Sequence, residues 1–164
     1  MKRLAFLLAA LFLAGCAGPA PYVYRYVPGK TATLRDGYAI APPEAPEPVQ
    51  TAIAAGNRIA GLPYAWGGGH ARSIDSGYDC SGSASYLLQA AGRLNSAMPS
   101  KAFRRYGESG PGEWISIYAR RDHVFLVVAG LRFDTGWVKG TRGPQWSTKS
   151  RPTKGAALRH PRGL

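Results

Sequence analysis

The sequence contains few acidic residues and almost no cysteine. Its 164 residues include 9 acidic and 21 basic side chains, which gives a net charge of +12. Two cysteines, Cys16 and Cys80, are too few for the disulfide framework typical of small secreted domains. No apolar run reaches the about 20 residues that a membrane-spanning helix needs, and no internal repeat is present. Disulfide scaffolds, helical membrane proteins and repeat arrays are therefore excluded.

The chain begins with the pattern of an export signal. Met1 to Arg3 is positively charged, and the apolar run from 4 to 14 ends in Leu13-Ala14-Gly15-Cys16. A short apolar run of this kind is typical of a cleaved signal peptide, and its ending resembles a bacterial lipoprotein signal. We therefore predict removal of residues 1–15 and lipidation of Cys16. The alternative is a plain secretory signal in which Cys16 falls by chance.

This signal also predicts where the protein lies. Lipid chains on Cys16 would anchor it to a membrane surface without spanning the bilayer. Ala17 is not the aspartate that typically retains lipoproteins at the inner membrane, which indicates the periplasmic face of the outer membrane in a bacterium with two membranes. Export excludes nucleic acid as a partner. It also leaves Cys80 without a disulfide partner in an oxidising compartment, where a lone thiol suggests chemistry.

Proline marks the next segment, residues 16–48, as a tether. Seven of the 13 prolines lie between 19 and 48, a composition typical of an extended, semi-rigid spacer. Residues 22–27 alternate well enough for a short strand, and an unstructured aromatic patch is the alternative. From Val49 the apolar residues recur at helical spacing until Gly61, so we predict a folded domain over 49–164.

The residues from 64 to 91 predict a cysteine at the start of a helix. Asp79 has the side chain of an N-cap, apolar residues recur at helical spacing from Ser81 to Ala91, and Gly92 follows as a stop. The partial positive charge of a helix N-terminus stabilises a thiolate and lowers its pKa. Cys80 is therefore predicted to be a nucleophile; the alternative is a buried cysteine that acts as a small hydrophobic residue.

Four short motifs together resemble the NlpC-type cell-wall cysteine peptidases, which are papain-like enzymes. The motifs are Pro63-Tyr64-Ala65-Trp66-Gly67-Gly68, Asp79-Cys80-Ser81-Gly82, Met98-Pro99, and His123-Val124 at the start of an apolar strand that ends at Gly130. The resemblance covers roughly residues 49–134, and the tail beyond it matches no motif.

The resemblance implies an α+β, papain-like domain with N-terminal helices packed on a small antiparallel β-sheet. It implies hydrolysis of peptidoglycan stem peptides, with the D-glutamyl-diaminopimelate bond as the expected target and Tyr64 as an oxyanion-stabilising side chain beside the nucleophile. The stretch from Arg93 to Gly112 is then expected to be a loop at the edge of the substrate groove. For Trp66 packing is the preferred interpretation, and the glycines from Gly67 to Gly69 are interpreted as backbone that lets a substrate chain approach.

Three histidines are candidates for the general base. His123 is preferred because it opens an apolar strand, and the resembled family has its histidine there. If Ala129-Gly130 is a two-residue hairpin loop, Asp134 lies opposite Phe125, on the same sheet face as His123, and can orient the imidazole. His160 is the rival for this third position, and His70 is interpreted as a surface or groove residue.

The tail after Asp134 is entirely without acidic residues. Its basic residues are Lys139, Arg142, Lys149, Arg151, Lys154, Arg159 and Arg162. Such a surface attracts polyanions at long range, and a solvated basic face without a partner is the alternative. Gln145-Trp146 is interpreted as an anchor of this segment to the domain.

We predict a cysteine peptidase without cofactor or metal, with peptidoglycan stem peptides and a membrane as its partners. Three other functions stay open at this point. They are a non-catalytic cell-wall-binding lipoprotein, an amidase or acyltransferase of related fold acting on another substrate, and a zinc site formed by Cys80 with His70, His123 and His160.

Overall fold

The computed structural model of the chain describes residues 18–70, 75–136 and 143–164. The predicted signal sequence, Cys16, Lys139 and Arg142 therefore lie outside the described residues. Within those ranges, no helix is both long enough and apolar enough to cross a bilayer.

Of the three helices in the described residues, two lie at the predicted positions or close to them. Helix α1 spans Glu47–Ile59 and helix α2 spans Cys80–Ala90, each within two residues of its predicted start, so both predictions are confirmed. Helix α3, Ser100–Phe103, is a single turn in the segment that was expected to be a loop. Pro99 precedes it with the extended backbone suited to a helix start.

In the described part of the chain, eight short strands form two antiparallel sheets. The first sheet pairs β1 with β2, and the second has the strand order β3-β8-β4-β5-β6-β7. Their bounds are β1 Thr33–Arg35, β2 Tyr38–Ile40, β3 Glu108–Ser109, β4 Ile115–Ala119, β5 Val124–Val128, β6 Leu131–Asp134, β7 Gln145–Ser147 and β8 Ala157–His160. The chain therefore has the predicted α+β class, with helices beside an antiparallel sheet.

The hydrophobic core lies between helices α1 and α2 and the central strands. Both helices contact each other and strand β5. Ile53 and Leu87 on the helices are buried, as is Leu126 on the sheet. Trp146 of β7 is also buried and packs on Phe133 with ring centroids 4.6 Å apart, which confirms that Gln145-Trp146 anchors the tail.

The predicted tether differs from the structure, because residues 18–48 pack on the domain. Tyr22, Ala32, Ala39 and Ala45 are all buried, and the β1–β2 hairpin lies on α1. There the Asn57 side chain exchanges two hydrogen bonds of 2.9 Å with the backbone of Ala39. A proline-rich segment can still bury apolar residues against a domain, particularly small ones such as alanine. Proline content alone therefore does not show whether a segment is a tether or a part of the folded domain.

Tyr22 is the main contact of this segment. Its backbone pairs with that of Arg151 through hydrogen bonds of 2.9 and 3.0 Å. Its hydroxyl donates to the carbonyl of Gly130 and accepts from the N–H of Arg132. Residues 22–27 thus form neither of the two predicted structures; they contribute one bridge and a buried tyrosine.

The β5–β6 hairpin has the predicted two-residue turn. Ala129 and Gly130 both adopt positive φ, 45° and 74°, as a type I′ turn requires. Val128 therefore faces Leu131 across the ladder. The same register, continued, puts Asp134 opposite Phe125, as the sequence predicts.

Candidate active site

Cys80 occupies the first residue of helix α2 and is 9% exposed. Asp79 has extended backbone at the N-cap, and its carboxylate accepts a 2.7 Å hydrogen bond from the N–H of Gly82. The first amides of a helix have no intrahelical partner, so the Cys80 sulfur lies next to groups that favour negative charge. The predicted cap and its geometry are confirmed.

Glycines on both sides of Cys80 bring the preceding loop against helix α2. A Cβ added to Gly82 would lie 1.9 Å from the carbonyl oxygen of Gly68 and 2.9 Å from the Cα of Gly69. The N–H of Gly67 also donates to Asp79 at 3.0 Å. These glycines therefore let the loop backbone pack against the first turn of α2, which fixes the position of Cys80.

His123 lies immediately before strand β5 and contacts both Cys80 and Asp134. Its Nε2 is 2.7 Å from Oδ1 of Asp134, and a second hydrogen bond joins its side chain to the Cys80 sulfur. The N–H of Val124, the next residue, also donates to this sulfur. The strand start thus provides two of the groups that hold the thiolate.

The pKa values of the pair shift in opposite directions. Burial opposes protonation of His123, but its hydrogen bonds with Asp134 and Cys80 raise its pKa to about 9. Burial opposes ionisation of Cys80, yet hydrogen bonds from His123 and Ser100 bring the net pKa of the thiol below its ordinary value. Both shifts favour a thiolate–imidazolium pair.

Asp134 is 4% exposed and accepts hydrogen bonds or ion pairs from four groups. Besides His123, these are the side chains of Arg132 and Arg151 and the N–H of Thr135. Arg132 is fully buried, and its guanidinium lies 5.9 Å from the ring centroid of Tyr22. Two cations and an amide therefore hold the orientation of this carboxylate.

Sequence reasoning missed Arg132, Arg151 and Ser100. A usable signal for Arg132 was its place two residues before Asp134 on strand β6, because residues two apart on a strand lie on the same face of the sheet. Arg151 was counted as part of the basic tail, and no local pattern separates it from its charged neighbours. Ser100 Oγ lies 3.3 Å from Cys80 Sγ, and its signal is its place directly after Met98-Pro99.

Tyr64 lies beside the nucleophile, at the edge of a groove of about 320 Å³. His123, Thr135, Gly136 and Arg151 complete the lining of this groove. Tyr64 is held by a bridge to Tyr78 and is 38% exposed. Burial and the neighbouring Cys80 and Asp79 charges raise its pKa, so its hydroxyl keeps its proton and is able to donate. Trp66, in contrast, is 90% exposed, so the expectation that it packs is wrong.

The other histidines contact residues away from the Cys80–His123 pair. His160 hydrogen-bonds the carbonyl of Gly110 through Nδ1 at 3.1 Å, and its Nε2 lies 3.4 Å from Glu108. It belongs to the β3–β8 edge, so it is not the third residue beside His123. His70 lies near Asp79 at 3.3 Å and Ser81 at 3.2 Å, on the N-cap side of the helix.

The described part of the chain holds no group of three or more His, Cys, Asp or Glu side chains arranged to hold a metal ion. Cys80, His70, His123 and His160 therefore do not come together in the described structure as the zinc-site alternative requires.

Comparisons with known proteins assign no class to the chain. No protein-family model matches it, and a search of the curated proteins finds no significant match. A thiol, an imidazole and a carboxylate that are hydrogen-bonded in series are the groups needed for nucleophilic acyl transfer.

Proposed function

We propose that the protein is a cysteine peptidase that hydrolyses peptidoglycan stem peptides, on a papain-like domain of the NlpC type. The observation that carries the proposal is the hydrogen-bonded series from Cys80 through His123 to Asp134, with Cys80 at a helix N-terminus. In support, the motifs around these residues resemble that family. The expected bond is the one between D-glutamate and diaminopimelate.

In the first half of the reaction the Cys80 thiolate attacks the scissile carbonyl and forms a C–S bond. The charge that develops on the carbonyl oxygen is stabilised by the N–H of Cys80 and the Tyr64 hydroxyl. Protonated His123 gives its proton to the leaving amine as the C–N bond breaks. An acyl-enzyme remains, and the first product departs.

The second half regenerates the thiolate. His123, now neutral, takes a proton from water, whose oxygen attacks the thioester carbon. The C–S bond breaks, and the carboxylic acid product leaves. Asp134 keeps Nε2 of His123 protonated throughout, so the other ring nitrogen is the one that faces sulfur and substrate.

The location of the enzyme follows from the start of the sequence. We infer export and lipidation of Cys16, with the domain at the periplasmic face of the outer membrane. Stem peptides of the wall are accessible there, which is consistent with the expected substrate.

Mass spectrometry of muropeptides tests the proposal. Purified peptidoglycan is incubated with the full-length chain, with Cys80→Ala, with His123→Ala, and with His160→Ala as the matched control. We expect new cleaved stem peptides with the parent and with His160→Ala, and none with the other two. Products that persist with Cys80→Ala, or a parent that binds the wall without cutting any peptide, would contradict the proposal and favour a wall-binding lipoprotein.

A further inference from the structure

A second groove, with a volume of about 750 Å³, opens on the surface next to helix α3. We call it the basic groove. Four of its six lining residues are cationic, and the full lining is Pro99, Lys101, Ala102, Arg104, Arg105 and Arg121. It shares no lining residue with the groove at Tyr64.

Within residues 18–70, 75–136 and 143–164, the cations of the basic groove have no acidic partner. Arg104 donates to the carbonyls of Ala119 and Gly155 at 3.4 and 3.1 Å, which fixes it without neutralising it. Asp122, the chain neighbour of Arg121, forms its ion pair with Arg120 instead, at 3.7 Å. Four like charges around one concave surface create a positive potential that attracts anions.

The basic groove is built on two chain segments that also hold Cys80. Lys101 and Pro99 flank Ser100, whose Oγ is 3.3 Å from Cys80 Sγ. Arg121 lies in the turn between β4 and β5. This turn is closed by a 2.7 Å hydrogen bond from the N–H of Arg120 to the carbonyl of His123. The cations are therefore mounted on the two segments that also carry the groups bonded to the Cys80 sulfur.

Resting on the proposed function, we propose that the basic groove binds carboxylates of the substrate peptide on one side of the scissile bond. Guanidinium groups match a carboxylate through two parallel hydrogen bonds, and the groove offers three of them beside one ammonium. The basic groove is thus the subsite that selects acidic peptides over neutral ones.

The position of the groove favours a peptide over an anionic membrane surface. Lys101 and Arg121 each lie within two chain positions of a residue that bonds the Cys80 sulfur, Ser100 or His123. A bilayer would gain nothing from cations mounted on the segments that hold Cys80. A single extended peptide, in contrast, can occupy the groove and still present a carbonyl to Cys80.

Calorimetric titration of the full-length Cys80→Ala chain tests this assignment, because binding is then measured without turnover. The probes are a soluble stem peptide with free carboxylates and the same peptide with its carboxylates amidated. We expect amidation to weaken binding about tenfold or more. When Arg105→Ala/Arg121→Ala is added to the Cys80→Ala chain, we expect the peptide with free carboxylates to bind about tenfold more weakly. We then expect the affinities of the free and amidated peptides to differ by no more than about twofold, because removing the charge from either partner breaks the same contact.

Arg35→Ala/Arg58→Ala is the matched control, because it removes the same charge from exposed positions outside the basic groove. Equal loss of binding in this control, or an undiminished preference for the free peptide in Arg105→Ala/Arg121→Ala, would overturn the inference. The inference would also be overturned if Arg105→Ala/Arg121→Ala changed only the pelleting of the protein with phosphatidylglycerol vesicles and left peptide binding unchanged. Equal binding of both peptides by the Cys80→Ala chain would overturn the inference but not the proposed function, whereas no binding of either peptide would overturn both.

Discussion

Cys80 combines three influences that favour its thiolate. These are the N-terminus of α2, the hydrogen bond with His123 and the hydroxyl of Ser100. The second of these depends on Asp134, which orients the imidazole and favours its charged form. The reactivity of the sulfur is therefore set partly by a carboxylate that does not touch it.

We predict that Cys80 reacts with iodoacetamide at pH 6 far faster than free cysteine, whose thiolate is under about 1% populated there. Asp134→Asn should slow this alkylation and lower kcat/KM on stem peptides on the order of 100-fold, because the imidazole loses its orientation. Asp122→Asn, an exposed acid outside the site, is the control. Equal alkylation rates in the two variants would show that Asp134 has no influence on the thiol.

The raised pKa of His123 also predicts how stability depends on pH. Its pKa is about 6.5 in the unfolded chain and about 9 in the folded protein, so its protonation stabilises the fold fully below pH 6.5 and this contribution is lost as the pH rises through 9. In the Cys80→Ala background the Asp134 hydrogen bond remains. At pH 6 we expect the free energy of unfolding in urea to be about 1–3 kcal/mol higher for Cys80→Ala than for Cys80→Ala/His123→Gln. We expect this difference to shrink by pH 10. A difference constant with pH would contradict this.

The sequence predicts a site residue when the pattern that identifies it lies within a short stretch of the chain. Cys80 and Asp79 form a helix start within a few residues, and Asp134 follows from the length of one hairpin loop. Arg151 is different, because it contacts Asp134 across a sequence separation that includes a whole strand. Composition places it among seven basic residues and gives no reason to select it.

The elements of this fold are predicted best where a short pattern fixes geometry. Helices α1 and α2 have apolar spacing and stop signals, and the β5–β6 register follows from a two-residue turn. Helix α3 is too short to show any periodicity. The strand order β3-β8-β4 was not predictable, because it joins segments about 40 to 50 residues apart in the chain.

At the scale of α2, Gly82→Ala is predicted to disrupt the site. Its Cβ would meet the backbone of Gly68 and Gly69, which cannot move aside as a flexible side chain does. We expect a loss of about 3 kcal/mol or more in urea unfolding and loss of peptidase activity, because the loop and Cys80 would separate. Gln89→Ala, exposed on the same helix, should be nearly neutral. Native stability in Gly82→Ala would show that the loop adapts.

The whole molecule depends on the segment that composition assigned to a tether. A chain that begins at Val49 would lose the buried side chains of Tyr22, Ala32 and Ala39, and would remove the ring that covers the Arg132 guanidinium. We predict that its melting temperature falls by at least about 10 °C relative to a chain that begins at Gly18, measured by circular dichroism. Equal melting temperatures would show that residues 18–48 are dispensable for the fold.

The bonds that hold the N-terminal segment would also limit how far the proposed peptidase can reach from a lipid anchor. Thr153 holds the carbonyl of Pro19, and Arg151 pairs with Tyr22. With a lipid on Cys16, three residues, at most roughly 11 Å of chain, join the anchor to the first bonded position. A domain of this size has a radius of gyration of about 15 Å. The enzyme would then cut only those wall strands that come within one domain diameter of the membrane, and a longer linker inserted before Pro19 would extend that distance.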